Sequence, residues 1–463
     1  MIGKISCFVE YFSDSTVKIL FFVKNKLSLQ SVILSGSIGI LSFSCRQILK
    51  NSIFKMNNRV VITGMGIWSC LGTDLDTVRQ ALYDGKSGIV FDQVRKDMGF
   101  RSALTSKVEM PDLKKLIPRN QRQFMPEEAQ YAYMSTVQAL QHAGLTQEYL
   151  DEHEVGLLFG NDSVAQATYK AVSKIYEYKD TASCGSGSIF QSMNSTVTMN
   201  LACLFHLRGI NLTTSGACAS GSHALGLAYL LIKDGLQDCI IAGGAQEVNP
   251  ECVGSFDGIQ AFSTREDEPE KASRPFDRDR NGLVPGGGAA TLIIESLDHA
   301  LARGAQPIAE IVGWGFSGNG DHISTPNVAG PQRSLEMAIR LAGVDVKEIG
   351  YVNAHATSTH AGDGREAQAI ANVFGDYKVP VTSTKGQTGH EMWMAGASEA
   401  IYSILMMKNN FIAGSLNFEN PDEETACINV IGKTQEAHFD MFLSNSFGFG
   451  GTNSTLIIKD YRD

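Results

Sequence analysis

Short apolar runs closed by glycine or another small residue recur along the chain from residue 59 onward, and stretches of helix-forming residues separate many of them. Arg59-Val60-Val61-Ile62-Thr63-Gly64, Val155–Gly160, Ile210–Thr214, Cys239–Gly244 and Ala289–Glu295 read as strands. Most are continuously apolar rather than alternating, the pattern of strands buried on both faces. Thr73–Ala81 predicts a helix capped by threonine or aspartate, and Ala224–Lys233 predicts another, ended by Gly235. From about residue 308 the pattern begins again with a strand and a helix. Strand 350–354, helix 362–373, strand 379–383, helix 395–408 and strands near 440–444 and 454–458 follow. The alternation predicts parallel sheets covered by helices. Residues 180–195 and 262–288 read as loops, and 101–124 as a polar connection. No strong residue-level repeat links the two halves. Gly64-Met65-Gly66 is a weak dinucleotide-loop signal, because Ser69 stands where GxGxxG needs its third glycine.

Composition narrows the function classes. Of 463 residues, 43% are hydrophobic and 19% charged, as in a globular enzyme with a large core. A net charge of −10 argues against a nucleic-acid partner and against attraction to anionic membranes. Nine cysteines without a CxxC pair argue against a disulfide framework and a metal site, and for a reducing compartment. Residues 1–55 differ from the rest: Lys4, Lys18, Lys24, Lys26, Arg46, Lys50 and Lys55 face only Glu10 and Asp14. The uncharged stretch 27–45 is interrupted by Ser, Gly and Gln, too polar for a membrane span, and no secretory cleavage pattern follows it. Two readings stay open: a start placed too early, with Met56 beginning the protein, or an organelle transit peptide. The expected location is the cytoplasm under the first and an organelle under the second.

Candidate chemistry centres on Gly216-Ala217-Cys218-Ala219-Ser220-Gly221-Ser222-His223-Ala224. Cys218 falls where a strand turns into a helix, and the free N–H groups and dipole of a helix N-terminus favour a thiolate. Cys218 is therefore expected to be a nucleophile near neutral pH. Downstream, Asn353-Ala354-His355-Ala356-Thr357-Ser358-Thr359 and Ser383-Thr384-Lys385-Gly386-Gln387-Thr388-Gly389-His390 each follow an apolar strand. Two neutral imidazoles beside an activated cysteine suggest paired N–H donors to a developing negative charge.

With Asn445-Ser446-Phe447-Gly448-Phe449-Gly450-Gly451-Thr452-Asn453, these motifs make the chain resemble the β-ketoacyl-acyl carrier protein synthases, from about Asn57 to the C-terminus. The resemblance implies a thiolase-like α/β fold with two similar halves in five alternating layers, αβαβα: 56–307 carrying the cysteine and 308–463 the histidines, after an extension at 1–55. It implies a decarboxylative Claisen condensation that lengthens an acyl chain by two carbons in fatty-acid synthesis. Cys218 would hold the acyl group, and the N–H groups of Cys218 and Phe449 would form the oxyanion hole. His355 and His390 would drive decarboxylation, supported by Lys385 and Glu366, which are expected to act together, as an ion pair in the plainest reading. Thr357 and Thr359 would hydrogen-bond the pantetheine arm, and Phe447, Phe449 and Trp393 would also contact substrate. The resemblance implies no metal and no cofactor beyond the phosphopantetheine of the carrier protein. The partners implied are acyl carrier protein, with Lys114, Lys115, Arg119 and Arg122 as candidate docking residues, and a second copy in a homodimer.

Gly286-Gly287-Gly288, His299–Ala305 and Glu399–Ser403 resemble the type I branch. A type III synthase or a thiolase would carry Asn or a second Cys where His390 stands. Two other readings are a dedicated polyene or polyketide ketosynthase and a non-catalytic chain-length subunit, which usually lacks the cysteine. The chain departs from the family at Ala356, usually glycine, at His360, usually proline, and at Glu391-Met392-Trp393-Met394, usually small and apolar. Trp393 and Met394 are expected to narrow or redirect an acyl channel behind Cys218, with Phe449 gating its mouth; the alternative for Trp393 is that it fills core or interface.

Overall fold

Strands that are apolar at successive positions must be covered on both faces, and that requirement organises this chain. The computed structural model describes residues 58–462 and, before them, the backbone of three antiparallel strands, Ser6–Ser13, Thr16–Phe22 and Val32–Leu34. Met1–Asn57 and Asn58–Asp463 form separate compact units. Whether the first segment reflects an early start or a transit peptide lies outside the described residues.

From Asn58 onward, strands of both halves join in one eleven-stranded sheet. From the junction outward, the first half runs Val60–Trp68, Gly288–Ser296, Cys239–Gln246, Gly156–Gly160 and Asn211–Thr214. The second half runs Ala309–Gly318, Thr452–Asp460, Met441–Gly448, Tyr351–Asn353 and Pro380–Thr382, then the two-residue strand Asn429–Val430. The halves meet where Ala309, Glu310 and Ile311 pair with Ile62, Val61 and Val60. The order of strands is the same in both halves, and so is the sequence of pairings: antiparallel, antiparallel, parallel, parallel.

The sheet is therefore mixed, where the alternation predicts parallel sheets. Connection length gives the reason. Parallel strands need a crossover, and helix Ser220–Lys233 supplies one from Asn211–Thr214 to Cys239–Gln246, which runs parallel to it on the other side of Gly156–Gly160. Met441–Gly448 and Thr452–Asp460 are joined by the short turn Phe449–Gly451, which permits only an antiparallel return.

Period-two alternation within the apolar strands sorts their side chains into three cores. Ile62, Leu292, Ile294, Ile240, Phe442, Leu456 and Ile458 point to a middle core shared with helices Ser220–Lys233 and Ala395–Lys408. Ile293, Ile241, Leu157 and Phe159 face an outer core under helix Glu127–Ala143. Leu443, Ile457 and Val352 face the other outer core, under helices Ala329–Ala342 and His360–Phe374. Helices, one half of the sheet, helices, the other half of the sheet, helices make five layers.

A residue-level repeat that the sequence does not advertise appears at the outer faces. In the first half, Gly64 and Gly66 lie under Ser135, Ala139 and Ala143; in the second, Gly313 and Gly315 lie under Ser334, Ala338 and Ala342. A Cβ on Gly66 would sit 2.0 Å from the Ser135 carbonyl oxygen, and one on Gly315 would sit 2.0 Å from that of Ser334. The same serines bond matching threonines: Ser135 to Thr291 at 2.7 Å and Ser334 to Thr455 at 2.8 Å. Gly64-Met65-Gly66 is thus the seat of a helix inside a strand, and no phosphate loop.

Most predicted elements are present with adjusted ends. The first helix is Leu75–Asp84, with Asp74 as the cap accepting from the Thr77 N–H at 2.8 Å. The loop expected over 180–195 contains short helical turns, Ala182–Cys184 and Ser188–Gln191. Among the described residues, no helix is long and apolar enough to cross a membrane.

Candidate active site

Strand Asn211–Thr214 ends three residues before a sharp elbow. Ala217 has φ +46°, a left-handed conformation that costs energy for a residue with a side chain. Ser220 holds the elbow, accepting from the Gly216 N–H at 2.9 Å and donating to the Ala217 carbonyl at 2.6 Å. Gly160 lets the neighbouring strand in, since a Cβ there would lie 2.3 Å from the Gly221 nitrogen. Cys218 is thereby fixed at the start of helix Ser220–Lys233, as the sequence predicts, and is buried.

The electrostatics differ from the expectation of a ready thiolate. Burial pushes the Cys218 thiol up to about 12, against the opposing pull of the Lys385 charge and of the backbone N–H groups of Cys218 and Phe449. Desolvation of the anion outweighs these stabilising contacts, so the resting sulfur is a thiol. The same two N–H groups are the pair expected to hold an oxyanion.

Both histidines reach the same cavity of about 300 Å³ as Cys218. Their rings lie 5.2 Å apart, edge to face. Burial, then the Lys385 charge, holds both well below the usual imidazole range; for His355 the neighbouring His390 adds to this. Both are neutral at pH 7. His390 sits on a clamped loop: its N–H donates to the Val284 carbonyl at 2.7 Å, and its carbonyl accepts from Gly286 at 2.8 Å. Its Nδ1 accepts from the Met392 N–H at 3.3 Å, which assigns the proton to Nε2. That Nε2 is buried without a partner.

Glu366, on helix His360–Phe374, positions the His355 loop through the backbone. It accepts from the N–H groups of His355 at 2.9 Å and Ala356 at 2.7 Å, and from the Asn445 side chain at 3.0 Å. Burial still raises it to about 7. Asp363, one turn earlier, accepts from Thr357, Thr359 and Phe276 and lies 3.8 Å from Arg280. Thr357 and Thr359 line the cavity with their hydroxyls 3.2 Å apart, and Phe447 lines it beside His355.

The expected ion pair of Lys385 with Glu366 is not formed. Lys385 bonds the Glu399 carboxylate, and both side chains are 1% exposed. Glu399 lies on helix Ala395–Lys408, fourteen residues on, while the Glu366 carboxylate is taken up by backbone donors. Burial raises Glu399 to about 7, against the lysine's pull. The sequence offered Glu399 only as part of a branch-like run. Met394 is a second correction: it packs into the middle core, not behind Cys218. Trp393 packs in the apolar cluster that contains Cys218 but does not line the open cavity. Sequence reasoning missed the roles of Glu399, Asn445, Asp363 and Arg280, each of which has at least one partner distant in sequence. Among the described residues, no three His, Cys, Asp or Glu side chains are grouped to hold a metal ion.

A cysteine at a helix start, facing two neutral imidazoles in one cavity of a five-layered fold with matching halves, defines a thiolase-like condensing site. Models of the β-ketoacyl synthase N-terminal and C-terminal domains match residues 57–300 and 308–419, and the chain belongs to the β-ketoacyl synthase family. A 3-oxoacyl-(acyl-carrier-protein) synthase 1 of Haemophilus influenzae is 41% identical over 407 residues, 87% of this chain and 99% of the relative. The corresponding synthase 1 of Escherichia coli is 40% identical, over 88% of this chain and 100% of its own length. A β-ketoacyl synthase structure from Burkholderia phymatum superposes with a TM-score of 0.83 at 37% identity, covering 88% of this chain and 100% of its own.

Proposed function

We propose that this chain catalyses decarboxylative condensation of an acyl group on Cys218 with malonyl-acyl carrier protein, in fatty-acid synthesis of the type I kind. In the first stage the Cys218 sulfur forms a bond to the acyl carbon while the bond to the carrier sulfur breaks. The proton given up by the Cys218 thiol ends on that departing sulfur, which leaves as the free carrier thiol. The N–H groups of Cys218 and Phe449 hold the tetrahedral oxyanion. In the second, the malonyl group loses carbon dioxide and its electron pair becomes an enolate, stabilised by His355 and His390. In the third, the enolate carbon forms a bond to the acyl carbon while the bond to Cys218 breaks, and the released thiolate takes a proton from solvent to restore the resting thiol. The product is a 3-oxoacyl-carrier protein two carbons longer. Burial, reinforced by the charge of Lys385 that Glu399 anchors, keeps both imidazoles neutral, so that they donate without being charged. Glu366 is a positioning residue for the His355 loop. Thr357, Thr359 and Phe447 receive the pantetheine arm, and no further cofactor takes part.

The observation that carries this reading is the buried His390 Nε2–H, unpaired beside His355 in the cavity that also contains Cys218. A buried donor without a partner costs stability, and a developing enolate oxygen supplies the missing acceptor. An acidic carrier protein docks on exposed Lys114, Lys115 and Arg119, with Arg122 half-buried beside them. A second copy covers the edge strand Asn211–Thr214, where Asn211 and Leu212 are exposed. The reaction takes place in the cytoplasm. The test is incubation with an acyl-carrier protein and malonyl-carrier protein, read by mass spectrometry of the carrier. A 3-oxoacyl product two carbons longer is expected; carrier species unchanged in the presence of active partners would overturn the proposal.

A further inference from the structure

Behind Cys218 lies an apolar cluster that the condensation chemistry leaves unused. Cys218, Val253, Phe262, Leu283, Met392 and Trp393 pack together. A file of nearly parallel rings leads to it. Phe449, 39% exposed at the mouth, stacks on Phe256 with centroids 5.9 Å apart, and Phe256 stacks on Phe262 at 6.3 Å. Phe256, Ala261 and Leu283 belong both to this packing and to the cavity wall, whereas Phe262 and Trp393 do not reach the cavity. The cavity stops at that wall, and the indole lies in the packed region behind it.

Two observations set Trp393 apart from ordinary core. The other tryptophans pair their indole N–H: Trp68 with the Glu109 carbonyl at 2.6 Å and Trp314 with Ser454 at 2.9 Å. The Trp393 Nε1 is buried without a partner, a cost that phenylalanine would not carry. The backbone is also forced. Met392 has φ +46°, and the Trp393 carbonyl is wedged where a Cβ on Gly221 or Gly244 would lie 2.9 or 2.7 Å from it. Strain and an unpaired donor are both accepted to hold this ring here.

We propose that Trp393 is a specificity-determining end wall for the acyl group on Cys218 and restricts the enzyme to short acyl chains. The inference rests on the reading of Cys218 as the acyl carrier. The histidine side of the cavity is needed for the malonyl arm, so an acyl chain must extend into the apolar cluster. A long chain meets the indole there, and the wedged backbone cannot retreat.

The test measures acylation of Cys218 by saturated acyl-carrier proteins from acetyl to palmitoyl, using intact-protein mass spectrometry, in wild type, Trp393→Phe and Trp393→Ala. Wild type and Trp393→Phe should lose reactivity at about the same length. Trp393→Ala should accept longer chains, gaining about tenfold or more at the first length that wild type rejects. A folded Trp393→Ala with the wild-type length profile overturns the inference. Should that variant fail to fold, tryptophan emission decides: acylation of wild type should shift emission, and Trp393→Phe should lose the shift. Equal shifts in the two proteins overturn the inference. If no acyl-carrier thioester acylates wild-type Cys218, the reading of the cysteine fails, and this inference with it.

Discussion

Met392 donates its backbone N–H to Nδ1 of His390 at 3.3 Å, and this bond makes the opposite ring nitrogen a donor. Because burial and Lys385 keep the ring neutral, the donor is present throughout the physiological pH range. His390→Ala and His355→Ala should each lose decarboxylation by about a hundredfold or more, the cost of one oxyanion donor. Acylation of Cys218 should persist in both. Carbon dioxide release from malonyl-carrier protein measures the first effect and intact mass the second. Unchanged release in both variants would remove the pair from the mechanism.

The buried Cys218 thiol makes a pH prediction with a definite sign. With its folded value raised to about 12, the thiolate fraction increases about tenfold per pH unit across the neutral and mildly alkaline range. Alkylation of Cys218 by iodoacetamide, followed on its peptide, should therefore climb steadily from about pH 6 to about pH 10 without a plateau. Lys385→Met removes a charge that favours the anion and should slow alkylation at each pH. A plateau near neutral pH would mean that the elbow overcomes burial after all.

The Lys385–Glu399 pair is a stability element as well as an electrostatic one. Glu399→Leu leaves a buried lysine uncompensated and should cost about 3–5 kcal/mol in chemical denaturation. Lys385→Met combined with Glu399→Leu should recover much of that loss while leaving condensation impaired. Glu366→Gln keeps the pair and should act on the His355 loop instead. The assignment of partners is wrong if Glu366→Gln costs as much as Glu399→Leu and the double variant recovers nothing.

How far the sequence carried depended on the range of the interaction. The Cys218 elbow, the cap at Asp74 and helix Ala395–Lys408 are local, written in adjacent residues, and were legible. Mixed pairing was not, because the strand at Gly288–Ser296 finds its neighbours only through tertiary packing. The sequence points to Glu366 as the partner of Lys385, and the structure gives Glu399 instead, because the lysine's choice depends on how helix Ala395–Lys408 docks. The repeat was hidden because it is carried by small residues at two strand positions and one helix face, too sparse to register as similarity.

That repeat can be tested directly. Gly66→Ala and Gly315→Ala force a methyl against a helix carbonyl in each half, and each should destabilise by about 1–3 kcal/mol or more. Gly318→Ala, with nothing within 4 Å of its Cβ position, serves as the control and should stay near wild type. Equal stability of all three variants would deny that the helices seat on these glycines.

The central claim is that Cys218 carries the growing chain between two half-reactions. Intact-protein and peptide mass spectrometry after incubation with acyl-carrier protein alone, and again after malonyl-carrier protein is added, tests it most directly. The account predicts an acyl adduct on the Cys218 peptide that disappears on malonyl addition as a product two carbons longer forms, and no adduct in Cys218→Ala. An adduct on another residue, or one that persists in Cys218→Ala, would contradict it.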